Sequence, residues 1–151
     1  MKQPKLYIKN ENMSKKIEFI DLGLPSGRLW ATENEEGYFT YDEAKEKFGE
    51  LLPKPKAFEE LWKECRWRWD IKNNGMIVVG PNKNTIFLPA YGFRGIASGE
   101  LKSVGSDGWY WTYEAYDLTN ACSFGFYSVR VFPMCRIFCE YGFSVRLCRE
   151  V

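Results

Sequence analysis

"WYWTYEAYDLTNACSFGFYSVRVFPMCRIFCEYGFSVRLCREV", residues 109–151, is rich in aromatic, β-branched and small residues and carries no helical periodicity, so it reads as a series of short strands. Inside it, 122–141 mixes cysteine, aromatics, arginine and small residues without a clear binary pattern. The segment before it, "GIASGELKSVGSDG" (95–108), is rich in Gly and Ser and reads as a loop. Further back, "GMIVVGPNKNTIFLPAYGFRG" (75–95) is a strand, a Gly-Pro-Asn-Lys-Asn turn and a second strand. "CRWRWDI" (65–71) alternates strictly and puts Trp67 and Trp69 on one face.

Two helices precede these strands. "YFTYDEAKEKFGE" (38–50) offers Thr40 or Asp42 as a cap, Ala44 and Phe48 as a buried side and Gly49 as a stop. In "KPKAFEELWKEC" (54–65), Phe58, Leu61, Trp62 and Cys65 fall at helical spacing, with Glu and Lys opposite. "IEFIDLGLPSGRLWAT" (17–32) reads as two strands around a Leu-Pro-Ser-Gly bend, the first of them in the core sheet. The polar, lysine-rich residues 1–16 are expected to form a flexible arm, with Met13 a conceivable second start, and 17–151 a single domain. The order of strand, two helices, then many strands defines an α+β fold.

Composition narrows the function. With 151 residues, 45% hydrophobic and 17% aromatic, the chain can bury one substantial core. A net charge of +1 without a block of like charge argues against nucleic acid and against an anionic membrane surface. The absence of histidine removes the commonest general base and most catalytic zinc sites. No apolar h-region or eighteen-residue apolar run occurs, so neither a signal peptide nor a membrane span is expected, and the product is placed in the cytoplasm or in a phage virion. The five cysteines (Cys65, Cys122, Cys135, Cys139 and Cys148) are odd in number, contain no CxxC pair and are read as reduced thiols without a metal. No cofactor is expected.

Five strings, "DLGLPSGRLWAT" (21–32), "FEELWKECRWRWD" (58–70), "GPNKNTIFLPAYGFRG" (80–95), "GSDGWYWT" (105–112) and "YGFSVRLCR" (141–149), occur in an order that resembles a known family. These are the C-type-lectin-fold domains, related to the formylglycine-generating-enzyme fold, of Bacteroides-type gut bacteria and their phages. The resemblance implies short twisted antiparallel sheets with two helices packed alongside. Some members are variable proteins of diversity-generating retroelements, in which copying errors at template adenines rewrite asparagine codons near the 3′ end of the gene. It therefore implies a variable ligand-binding region at about 110–141. Randomised asparagine codons never yield Lys, Glu, Gln, Met or Trp, and from Ala121 to Tyr141 only Met134 and Glu140 fall outside the reachable set. All thirteen lysines lie at or before Lys102.

Alternation refines the expected face. With Phe124, Phe126 and Val131 inward, Ser123, Gly125, Tyr127, Arg130 and Phe132 point outward. Trp111 is expected in the core, and Tyr110 and Tyr113 at the surface. The candidate ligand-binding residues are Tyr110, Tyr113, Cys122, Ser123, Gly125, Tyr127, Val129, Arg130, Phe132, Arg136, Ile137, Phe138, Cys139 and Tyr141. Rigid Tyr, Phe and Arg side chains give large contact area at low entropic cost, and the expected partner is a protein or other macromolecule.

Other chemistries fit poorly. The Glu-Pro-Asn, Gln-Pro-Asp and Trp-Asn-Asp motifs of calcium-dependent sugar binding are absent, and Asp107, Glu114 and Asp117 read as solvated loop acids. Cys135 and Cys139 lack the context of the formylglycine-generating cysteine pair, so no catalytic residue is assigned. Arg146 is expected to pair with a buried acceptor beneath the face. The alternative reading is a structural or self-assembly domain of a phage virion or surface protein, with oligomerisation through the same apolar face.

Overall fold

The computed structural model describes residues 6–9 and 16–150. Four strands open the chain: β1 (Leu6–Lys9), β2 (Lys16–Asp21), β3 (Leu29–Ala31) and β4 (Glu35–Phe39). Two helices follow, α1 (Tyr41–Phe48) and α2 (Pro55–Glu64), with a 3₁₀ turn at Gly49–Leu51 between them. Next come β5 (Arg66–Asp70), β6 (Gly75–Val79), β7 (Thr85–Pro89), β8 (Phe93–Arg94) and β9 (Leu101–Lys102). The last strands are β10 (Asp107–Ala115), β11 (Asn120–Tyr127), β12 (Arg130–Phe138), β13 (Phe143–Val145) and β14 (Cys148–Arg149). In the stretch expected to be a flexible arm, β1 pairs antiparallel with β2, and 1–5 and 10–15, Met13 included, lie outside the described residues.

The helices form where local chemistry dictates. Thr40 Oγ accepts from the Glu43 amide while the Glu43 carboxylate accepts from the Thr40 amide, a reciprocal capping box. Gly49, at φ 52°, closes α1 in a conformation that costs a side-chain-bearing residue free energy. Pro55 starts α2 at a position where its missing N–H is not needed. That helix buries Ala57, Phe58 and Leu61, but Trp62, expected on the apolar side, is 41% exposed. Helical spacing alone made Trp62 a core candidate; it lies at the edge of the stripe that faces the sheet.

The sheets run β1-β2-β3-β14, β12-β11-β10-β13-β4, β5-β6-β7 and β8-β9. Pairing is antiparallel throughout these ladders except between β10 and β13, which run parallel at Tyr110 and Ser144. The five-stranded sheet is the centre of the molecule. One face carries Tyr110, Phe124 and Phe126, packed with Phe58 and Leu61 of α2 and with Met76, Val78, Ile86 and Leu88 of the hairpin. The other carries Trp111, Ala121 and Phe143, packed with Tyr41, Ala44 and Phe48 of α1 and with Phe19 of β2. Each large apolar side chain so buried contributes roughly 1.5–3 kcal/mol.

Being covered on both faces, β11 has no polar side to alternate with, which is why its sequence lacks a binary pattern. Trp67 and Trp69 lie on the inner face of β5, against Phe124 and Phe126. Arg146 ties three segments together: its Nε donates to Asn34 Oδ1 (2.8 Å), and its two Nη atoms donate to the carbonyls of Ala31 and Phe87. It is buried, and burial pulls its pKa down.

Candidate functional site

The fourteen candidate residues do not form one surface, because β10 and β11 have neighbours on both edges and both faces, whereas β12 is an edge strand. Four of them are corrected to the interior. Tyr110 is fully buried, its hydroxyl donating to the Pro89 carbonyl (2.8 Å) and accepting from Asn34 Nδ2 (3.1 Å). Cys122 is buried beside Glu114, its sulfur 4.0 Å from the carboxylate. Ser123 is buried and donates to the Cys135 carbonyl (3.3 Å). Gly125 is covered by Trp109, so closely that a Cβ there would lie 2.3 Å from the indole ring. The alternation was assigned to a sheet with one open side, but Ser123 and Gly125 face a second packed layer.

Tyr113 stands apart. Its ring lies between Lys45 and Lys54, with Nζ atoms 3.5 and 4.3 Å from the centroid, and its hydroxyl donates to Glu50 (3.0 Å). This is a half-buried cation–aromatic stack holding α1 and the 3₁₀ turn against β10.

The remaining nine cluster on β12 and its flanks. The register pairs Tyr127 with Arg130, Gly125 with Phe132, Ser123 with Cys135 and Ala121 with Ile137. It thereby puts Tyr127, Arg130, Phe132 and Ile137 on the side of Trp109 and Trp111. There the rings form a row: Tyr127 to Phe132 at 5.8 Å, Phe132 to Trp109 at 6.0 Å, Trp109 to Phe143 at 5.8 Å and Phe143 to Tyr141 at 6.0 Å. The first pair is tilted and the other three stacked, and aromatic pairs of this kind each add about 0.5–1.5 kcal/mol to area burial. The Arg130 guanidinium lies 4.8 Å from the Phe132 centroid and caps one end. At the other end Phe93, Trp109, Ile137, Tyr141 and Phe143, with Asp107, line an apolar pocket of about 150 Å³.

On the opposite side of β12, Arg136 stacks 4.0 Å from the Tyr116 ring and Phe138 is 53% exposed. Val129 stands exposed in the β11–β12 turn, and Cys139 is half-buried just beyond the strand. Sequence reasoning missed Phe93 and Trp109, which form the base of the aromatic row. Trp109 shares its side of β10 with Trp111, but it is half-buried, whereas Trp111 and the intervening Tyr110 are fully enclosed.

The thiols are chemically quiet. Burial pushes Cys65 up to about 11 and Cys148 up to about 12. Burial is also the first cause of the upward shifts of Cys122, Cys135 and Cys139. Among the described residues, no group of three His, Cys, Asp or Glu side chains converges as a metal site would require, and no helix is long and apolar enough to cross a membrane. The arrangement offers shape, aromatic area and two arginines, residue types enriched at protein interfaces. No family model, no curated protein and no solved structure matches the chain.

Proposed function

We propose that this chain is a non-enzymatic, receptor-type binding protein on a C-type-lectin scaffold, with a surface diversified by a retroelement of the kind its sequence resembles. The ligand surface is narrower than the whole of 110–141. It comprises Tyr127, Val129, Arg130, Phe132, Arg136, Ile137, Phe138, Cys139 and Tyr141, and the ligand is a protein or other macromolecule.

The observation that carries this reading is the contrast between β12, whose C-terminal half alternates exposed and half-buried side chains, and its paired neighbour β11, enclosed from Ala121 to Phe126. A rigid backing with a changeable front can accept many side-chain sets without refolding. Sequencing the locus across isolates tests it. Substitutions are expected at those nine positions, with Trp109, Met134 and Glu140 constant, beside a near-repeat of the 3′ coding end. An invariant gene with no such repeat sinks the retroelement reading.

Exposed Met134 and Phe138 on an edge strand also favour the alternative, self-assembly through β12. Sedimentation from micromolar to millimolar concentration distinguishes the two: a binding module stays monomeric, whereas an assembly domain associates.

A further inference from the structure

Three apolar side chains from separate segments meet at one cleft. Ile96 follows β8, Leu118 sits in the β10–β11 turn and Phe138 ends β12; all three are exposed, Leu118 fully. With Asp42, Cys139 and Glu140 they line an opening of about 440 Å³. Converging exposed apolar groups with a polar rim are characteristic of interaction sites.

Leu118 is presented rigidly. Asp117 Oδ1 accepts from the amides of Thr119 (2.9 Å) and Asn120 (2.7 Å), while the amides of Tyr116 and Asp117 donate to the Asn120 carbonyl (2.9 and 3.1 Å). The floor is equally fixed, with the Cys139 amide donating to the Thr119 carbonyl (2.8 Å) and the Cys139 carbonyl accepting from Tyr41 (2.9 Å). A contact made by such a turn costs little ordering on binding.

The sign of the charge selects the occupant. Asp42 and Glu140 stand on the rim, Asp117 adds its field at Cys139, and among the described residues no lysine or arginine lines the cleft. We infer that the cleft receives, from a protein partner, an apolar side chain with a lysine or arginine next to it. The apolar group seats on Ile96, Leu118 and Phe138, and the cation on Asp42 and Glu140.

This rests on the binding-protein reading and adds a constant rim to it, while the seat shares Phe138 and Cys139 with the diversified surface. Asp42 and Ile96 lie outside the rewritten segment, and Glu140 is not reachable from a randomised asparagine codon. The chain's own exposed Val129–Arg130 pair has the same chemistry, so a second copy is the competing occupant.

The test is an amide-resolved NMR titration of the full chain with N-acetyl-leucyl-arginine amide, with the leucyl-glutamate and alanyl-arginine amides as controls. Saturable shifts are expected at Leu118, Thr119, Cys139 and Glu140, with affinity about tenfold above either control. Leu118→Ser, at a fully exposed position, should weaken binding about tenfold, and Glu140→Gln about threefold. An equal response to the acidic control, or no shift at Leu118 and Cys139 up to millimolar probe, overturns the inference. Shifts confined to Trp109 and Tyr141 overturn it while leaving the binding-protein reading in place; an invariant locus removes the retroelement without touching the cleft. Association of the free protein that is lost in both Leu118→Ser and Arg130→Ser makes the occupant a second copy and likewise overturns it.

Discussion

β11 and β12 are hydrogen-bonded neighbours of nearly equal length, and both lie in the stretch that the sequence marks as irregular. From Ala121 to Phe126 every residue of β11 is buried, whereas β12 alternates exposed and half-buried positions over its C-terminal half. Residue type marks part of the difference, since β12 carries Arg130 and Arg136 and β11 no charged residue, but the greater part has another source. It comes from place: β11 has a strand on each side and a packed layer on each face, and β12 has one strand neighbour. Freedom to carry new side chains belongs to a position in the sheet, not to a segment of sequence.

The sharpest way to break this comparison is to truncate equivalent aromatics on the two strands. Phe124→Ala should cost about 3–5 kcal/mol in urea unfolding, because the ring stacks on Phe58 at 4.6 Å within a closed core. Phe138→Ala on β12 should change stability by about 0.5 kcal/mol or less. Equal losses would mean that β12 is as enclosed as its neighbour. Gly125→Val comes next, at about 1–3 kcal/mol, since the added methyls must displace Trp109.

Titration sharpens the same contrast. The thiols of Cys122, Cys135 and Cys139 all lie above the ordinary 9.0, chiefly through burial, so each holds its proton more tightly folded than unfolded. Their contribution to stability is complete below the unfolded value and is lost as pH rises through the folded ones. Unfolding free energy should therefore decline above about pH 9, and less steeply in Cys122→Ala. An effect as small as that of Phe138→Ala is expected for Arg136→Ser, within about 0.5 kcal/mol of the parent by thermal unfolding, because a surface cation over one tyrosine holds little of the fold.

Much of the architecture could be read from the sequence because its signals are local. The Thr40 cap, the Gly49 stop and the turn between β6 and β7 each depend on a few adjacent residues. The α+β order followed from them. The candidate site was legible in outline only. A strand buried on both faces gives no alternation by which to tell inside from outside, so Ser123 and Gly125 were assigned by parity to a surface that is covered. Register shifts between Trp111 and Ala115 and between Ser123 and Gly125 break that parity as well. The burial of Tyr110 depends on Pro89 and Asn34, which are distant in sequence and meet it only once three sheets have come together.

One feature of the topology reaches back to how such a protein is made. β13 lies between β10 and β4, and β14 lies beside β3, so strands translated after residue 141 are inserted among strands translated before residue 116. Arg146, between them, supplies the guanidinium that joins Ala31, Asn34 and Phe87. A nascent chain that stops or slips its reading frame anywhere in 110–141 lacks the inner strand and that cation, and it leaves its aromatic layers open to proteolysis. Closure of the central sheet therefore waits on the last strands, and a chain that ends before them leaves β10 and β4 unjoined.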